Sequence, residues 1–467
     1  MVLVLTVVIL QSISFSNYAL TTKTTNIIYG SAPYLTFDGG RTRVTNTEAL
    51  LGISLSDGRT FTPTTNNSSD NPIVLPVVGQ SFNDIGMLIP RDNYSIALSS
   101  LIGTPYNYWG DDDGDGQGVN GITATGSLNV SIADNFNNPV ARNEVLTMCK
   151  APYKLTLSNG EGRLKTRYGV PNESRFTAGN ATYYINPKAS PVICFARPYL
   201  FNSNHISNDV WDWRYGFLPQ SFTPSSYGLN FPTTGAHNLY FDLDISGVSQ
   251  VLSWAPVSHS GITATMTNST STSVKVTLTG PAVTDPNQWE SENPDEINRP
   301  SLPQVFELVG RDSSGNAVVK YGFELKQWFV NRGPNWYSYS SVESWCNKIG
   351  GYRVPNVRDL TNATCRPAWG QSQDVCQGAE GATPSSPGNY ATRHIGGGFF
   401  SEWGYMNHYH GANFRGYDGG GGGWFRYWTQ DRVGSTQKFH SVYADNGEVF
   451  SHNGNIDNKA GGLCVYP

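Results

Sequence analysis

Charge is scarce in this chain, and it has no long basic run. Asp, Glu, Lys and Arg make up 14% of 467 residues, with a net charge of -5. Binding to nucleic acid through phosphates needs clustered Lys and Arg, so that class is set aside. No apolar run approaches the ~20 residues that a membrane-spanning helix needs. None of the six cysteines stands in a C-x-x-C pair, which removes the usual zinc spacing. Nucleophile elbow, HExxH, phosphate-binding loop and dinucleotide fingerprint are likewise missing from any context that would support them. Together these gaps turn the reading away from an enzyme.

What remains is aromatic and rich in turn formers: 12% aromatic residues, 50 Gly and 27 Pro. With abundant Asn, Ser and Thr, this suits β-rich, loop-rich extracellular modules, and the length allows two to four domains. The opening MVLVLTVVIL is a short apolar run followed by polar residues, so 1–20 reads as a signal peptide. A buried N-terminal strand is the other reading. Export would make Cys149, Cys194, Cys346, Cys365, Cys376 and Cys464 an oxidised framework, with fifteen pairings open.

Residues 21–280 carry short runs of β-branched and aromatic residues, such as Ile122–Ile132 and Tyr153–Leu157, between Gly, Pro, Asn and Asp clusters. They predict one or two β domains of sandwich type. In 262–280, Val274, Val276 and Leu278 alternate with Lys275, Thr277 and Thr279, which predicts a hairpin with one buried face. Five prolines and several acids mark 281–304 as a linker or extended strap. From 305 the pattern changes. Val318–Val330 reads as a strand and Tyr339–Gly350 as a helix capped by Ser340 or Ser341. A short second helix is expected near Asn356. Strands are expected at Gly398–Trp403, Trp424–Thr429, Lys438–Tyr443 and Leu463–Tyr466, with a hairpin turn at Asp445-Asn446-Gly447.

Strand, helix, helix, long loop and several strands, with one cysteine in the first helix and one in the last strand, resemble the C-type-lectin-like fold. The phrases WCNKIGGYRVPNVRDLTNA, FFSEWG, YWTQD and LCVYP are similar to the C-terminal domain of enterobacterial adhesion proteins of the intimin and invasin group. The resemblance implies a Cys346–Cys464 bridge. Cys365 and Cys376 then suit a local bridge, and Cys149 and Cys194 are left to each other. It also implies immunoglobulin-like β domains before the lectin-like one, and adhesion as the function. The Glu-Pro-Asn or Gln-Pro-Asp loop and the Trp-Asn-Asp motif of calcium-dependent sugar-binding lectins are absent from 318–467, which points to protein binding.

Within the expected domain, Gly404–Gly423 combines five consecutive glycines with aromatics and Arg, the composition of a recognition loop. Tyr405, His408, Tyr409, His410, Arg415, Tyr417 and Trp424 are therefore the candidate ligand-binding residues. The bland reading is a loop whose aromatics cover the core. Asp111, Asp113 and Asp115, followed by Gly116, match the start of an oxygen-ligand loop for calcium, against the alternative of a solvated acidic turn. No other cofactor is called for. Trp211 and Trp213 can seal a core or stack on sugar rings, with core favoured. Glu402 and Asp431 are the acids that a glycosidase reading would pair.

The whole predicts a mainly β protein: a sandwich-like N-terminal region and an α+β lectin-like C-terminal domain. It predicts an exported or cell-surface bacterial adhesin with a host-cell protein or glycan as partner, and no catalysis. A carbohydrate-binding lectin is the second reading, and a secreted glycosidase the third.

Overall fold

A computed structural model describes residues 29–116, 121–200, 206–367, 372–415, 425–451 and 459–467. The expected signal peptide, Tyr417 and Trp424 lie outside them. The chain is mainly β and divides into two compact units, residues 1–146 with 152–186, and 147–151 with 187–467.

In the first unit a five-stranded sheet runs in the order Ile73–Val74, Gly179–Asn186, Tyr153–Asn159, Ser127–Ala133, Ser95–Ala97. Alternation explains its core: Tyr153, Leu155 and Leu157 all point inward and are fully buried. The run 122–132 is two strands in different sheets. Gly126 separates them at φ +104°, and a Cβ there would lie 2.8 Å from Gly162 Cα, so only glycine fits the corner.

The second unit contains a seven-stranded sheet and a hairpin packed over it. The hairpin predicted in 262–280 forms from Ile262–Thr267 and Ser273–Thr279, and Val274, Val276 and Leu278 are buried. Gln304–Arg311 pairs with Ala317–Leu325 and with Ser253–Trp254. Its Phe306 and Phe323 stack at 5.2 Å, and Phe241 of the large sheet meets Phe323 edge-on at 6.1 Å. The predicted single strand Val318–Val330 is thus broken. Ala317–Leu325 belongs to this hairpin, whereas Gln327–Asn331 lies between Thr234–Ala236, parallel, and Leu463–Tyr466, antiparallel.

Residues 281–304 form a strap with one helical turn, Pro286–Glu290. Its backbone is spent on the neighbouring domain. Gln288 O accepts from Trp345 Nε1 at 3.0 Å, Trp289 O from Arg332 Nε at 2.8 Å, and Ile297 N donates to Ile349 O at 2.8 Å.

The first helix is Tyr339–Lys348, and its cap is Ser338, accepting from Ser341 N, rather than Ser340 or Ser341. Val342, Trp345 and Cys346 share its buried face at i, i+3, i+4. Val357–Leu360 follows, with a capping box between Asn356 and Asp359. Gly398–Trp403 is not a strand: Phe399–Trp403 is a helix with all five residues buried. A strand would have alternated, and the left-handed Gly398, φ +95°, turns the chain before it. The remaining strands are Arg426–Arg432, Phe439–Tyr443 and Val449–Ser451, the last two joined through Gly447 at φ +68°. Among the described residues no helix is long and apolar enough to cross a membrane.

Three disulfides form: Cys149–Cys194, Cys346–Cys464 and Cys365–Cys376. The second fastens the first helix to the last strand across 118 positions, the third closes only 11. In the chain-entropy account these loops are worth ~4–5 and ~3 kcal/mol. Replacing Cys346 and Cys464 by Ala is expected to lower the denaturant midpoint more than the same change at Cys365 and Cys376, as urea unfolding would show.

Candidate binding surface

The two acids of the glycosidase reading are both committed to structure. Asp431 accepts from Asn356 Nδ2 at 3.0 Å and Val357 N at 2.6 Å, at the start of the short helix. Glu402 is wholly buried. It accepts from Thr233 N and Oγ1, Thr234 N and Oγ1, and Gly396 N, with the two hydroxyls at 2.6 Å and Gly396 N at 2.8 Å. Burial raises its pKa, and the donors oppose that shift. Beside it Trp403 donates to Thr234 O at 3.0 Å and packs on Phe231 at 5.0 Å. Buried Arg393 donates to Glu402 O at 2.9 Å and stands 4.8 Å over the ring of Trp211. Trp211 is therefore core, whereas Trp213 is 59% exposed.

The predicted recognition loop divides. Tyr409, expected at a ligand, is buried instead: it donates to Trp403 O at 2.7 Å and accepts from Tyr199 N at 3.1 Å. Its hydroxyl is committed to these two bonds, and deleting such a ring costs about 3–5 kcal/mol of fold stability. His408, half-buried, stacks on Tyr199 at 4.0 Å, and its backbone carbonyl accepts from Tyr240 Oη at 3.3 Å. Burial lowers the His408 pKa, and His410 and Lys275 add to that. Tyr405 is half-buried against Tyr199 at 6.1 Å, and His410 is exposed, 6.3 Å from the His408 ring. These residues sit where the loop lies along strand Leu239–Ser246, not on a free tip. Arg415 stands apart from them, 5.6 Å over Phe425 and 3.4 Å from Pro334 O.

Arg415 leads to a face that the sequence reading passed over. Arg426 opens the strand Arg426–Arg432, and its guanidinium lies 4.6 Å from the Phe450 ring and 5.3 Å from the Trp336 ring. Trp336 in turn packs on Phe425 at 4.7 Å. Trp336, Arg426, Tyr443 and Phe450 are all half-buried, so each shows an edge to solvent. Arg426 Nε is shielded and has no partner, and burial lowers the Arg426 pKa. Half-exposed aromatics around Arg are the side chains enriched in recognition surfaces. The signal in sequence was an arginine among aromatics in WFRYWT, which strand alternation alone does not distinguish from a solvated position.

In the first unit Asp111, Asp113 and Asp115 converge, with one carboxylate oxygen of each within 4.8 Å of the others. Gly116 N donates to Asp111 at 2.6 Å and Ser31 N to Asp113 at 2.6 Å. Asp111 Oδ1 and both Asp115 oxygens are shielded and lack a donor. Burial raises the Asp111 carboxyl above its ordinary value, and Asp113 and Asp115 push the same way. Such oxygens are what a hard divalent cation takes.

A mainly β chain whose last domain joins first helix to last strand is the class that this geometry defines. No protein-family model matches the chain, and no curated protein sequence does. Among solved structures it is similar to invasin, a bacterial integrin-binding protein, at 13% identity and TM-score 0.34, over 75% of this chain and 52% of that one. It is also similar to a 282-residue C-terminal intimin fragment in complex with the intimin-binding domain of the translocated intimin receptor, at 12% identity and TM-score 0.30, over 73% and 93%. An EHEC O157:H7 intimin mutant matches at 15% identity and TM-score 0.26, over 51% and 89%. The chain spans about half the length of the invasin structure it matches. At these scores the functional reading rests on the chain's own residues.

Glu402→Gln keeps the volume but turns an amide group toward donors. It is expected to cost about 3 kcal/mol at neutral pH, since a buried donor is then left unmet. Equilibrium urea unfolding checks this, and an unchanged midpoint would contradict it.

Proposed function

We propose that the chain is an exported bacterial adhesin that binds a host-cell surface protein non-covalently through the face built from Trp336, Arg415, Arg426, Tyr443 and Phe450. The observation that carries this is Arg426, held between two half-exposed rings at 4.6 and 5.3 Å. A guanidinium fixed in this way loses little side-chain freedom on binding and offers both donors and an apolar flank. Its strand belongs to a domain fastened by Cys346–Cys464, so the face is presented by a rigid support. Three disulfides among six cysteines accord with an oxidising destination. Glu402 and Asp431, committed to capping and joining, support binding over hydrolysis.

The test is adhesion of beads coated with the full chain to host cells, with the double variant Trp336→Ala, Arg426→Ala beside the wild type. A loss of about tenfold or more, with an unchanged melting temperature, is the expected result, because central Trp and Arg residues each contribute ~1–2 kcal/mol or more at interfaces. Undiminished adhesion would remove this face from the proposal. Inhibition by free glycans, with adhesion otherwise intact, would favour the lectin reading, for which exposed Trp213 is the stacking candidate.

We also propose that Asp111, Asp113 and Asp115 hold calcium. Their shielded, donorless oxygens support it. Calcium is expected to raise the melting temperature of the wild type, and Asp115→Asn to abolish the rise. Equal calcium stabilisation of both would contradict the assignment. Chelator is expected to leave adhesion through the Arg426 face unchanged.

A further inference from the structure

The first unit contains a cavity of about 660 Å³, lined among others by Phe37, Ser54, Asn83, Arg91, Tyr108 and Arg142. Arg142 is 3% exposed, yet it has no carboxylate partner. Its Nη1 donates only to backbone carbonyls, those of Pro90 at 2.6 Å, Asn93 at 2.8 Å and Ile89 at 3.3 Å, and its Nε has no acceptor. Asp92 acts on Arg142 only through space, without a direct ion pair, so this buried guanidinium beside a cavity can take an anion as its direct partner. Arg91 adds a second, exposed cation to the lining. The one carboxylate there, Asp84, is already engaged by Ser81 N at 2.8 Å and Ser81 Oγ at 3.1 Å. Asn83 Oδ1 is shielded and unpartnered as well. Gly86, also in the lining, keeps the space open: a Cβ there would lie 2.2 Å from Ser54 Oγ and 3.1 Å from the Phe37 ring.

We propose that this cavity binds an acidic sugar, a pyranose carrying a carboxylate, with that carboxylate directed to Arg142. With Nη1 committed to three carbonyls and Nε shielded, Nη2 is the group left to donate to a carboxylate, and the volume falls within the ~300–1,000 Å³ of small-ligand sites. Two aromatic rings suit the flat face of a pyranose, while Ser54, Ser56 and Asn83 supply partners for its hydroxyls. A site of about 660 Å³ suits one or two rings better than an extended acidic peptide. The site is in the first unit and stands independently of the adhesion face.

Isothermal titration of the full chain with sodium glucuronate, N-acetylneuraminate, glucose and a tetraglutamate peptide tests the proposal. Both acidic sugars are expected to bind, with glucose weaker by about tenfold or more, the worth of one charge-assisted contact. Arg142→Met is expected to abolish binding. Because Arg142 also ties three carbonyls and its variant can fail to fold, Phe37→Ala and Arg91→Ala serve beside it. Each is expected to weaken binding several-fold with an unchanged circular-dichroism spectrum. Absence of acidic-sugar binding, equal binding of glucose, tighter binding of tetraglutamate, or full affinity in both of those variants would each overturn it.

Discussion

A carboxylate removed from water must be met by donors, and the second unit is organised around one such group. Glu402 comes from a helix whose five residues are all buried, and it draws on two threonines of one segment and a glycine of another. Thr234 opens a strand that pairs with Gln327–Asn331, which also pairs with the last strand of the chain. Meeting the charge of Glu402 therefore fixes the C-terminal domain to the sheet before it. Trp403, Phe231 and Phe241 then close an aromatic layer around the same point.

This joint determines what is left for recognition. The first part of the 404–415 loop, where composition promised a free tip, is held through Tyr409, His408 and Asn238, which donates to Gly411 O at 2.9 Å. Recognition shifts to the other strands of the domain, where Arg426 lies between Trp336 and Phe450. The disulfide from first helix to last strand and the strap 281–304 hold the frame that carries those rings.

Patterns with a short physical range were legible in sequence. Period-two alternation gave the 262–280 hairpin, Asp445-Asn446-Gly447 gave the turn between Phe439–Tyr443 and Val449–Ser451, and serine and glycine capping signals gave the helix that carries Cys346. The mainly β class followed from composition. Features that depend on distant partners were not legible. Nothing local distinguishes FFSEW as a buried helix from a strand, because the deciding partner of Glu402 lies 169 positions away. Tyr409 reads as a contact aromatic until Tyr199 and Trp403 are seen around its hydroxyl. Arg142 and Arg426 look like ordinary surface arginines in sequence, since burial without a carboxylate is visible only in three dimensions.

A carboxylate that ties segments so far apart in the chain should make the second unit open and close as one body. Native-state hydrogen exchange of the Thr233, Thr234 and Gly396 amides tests it most directly. The account predicts that they exchange only through global unfolding of this unit, with the same denaturant dependence as the core strand Leu239–Ser246. Fast exchange by local opening, while that strand stays protected, would contradict it.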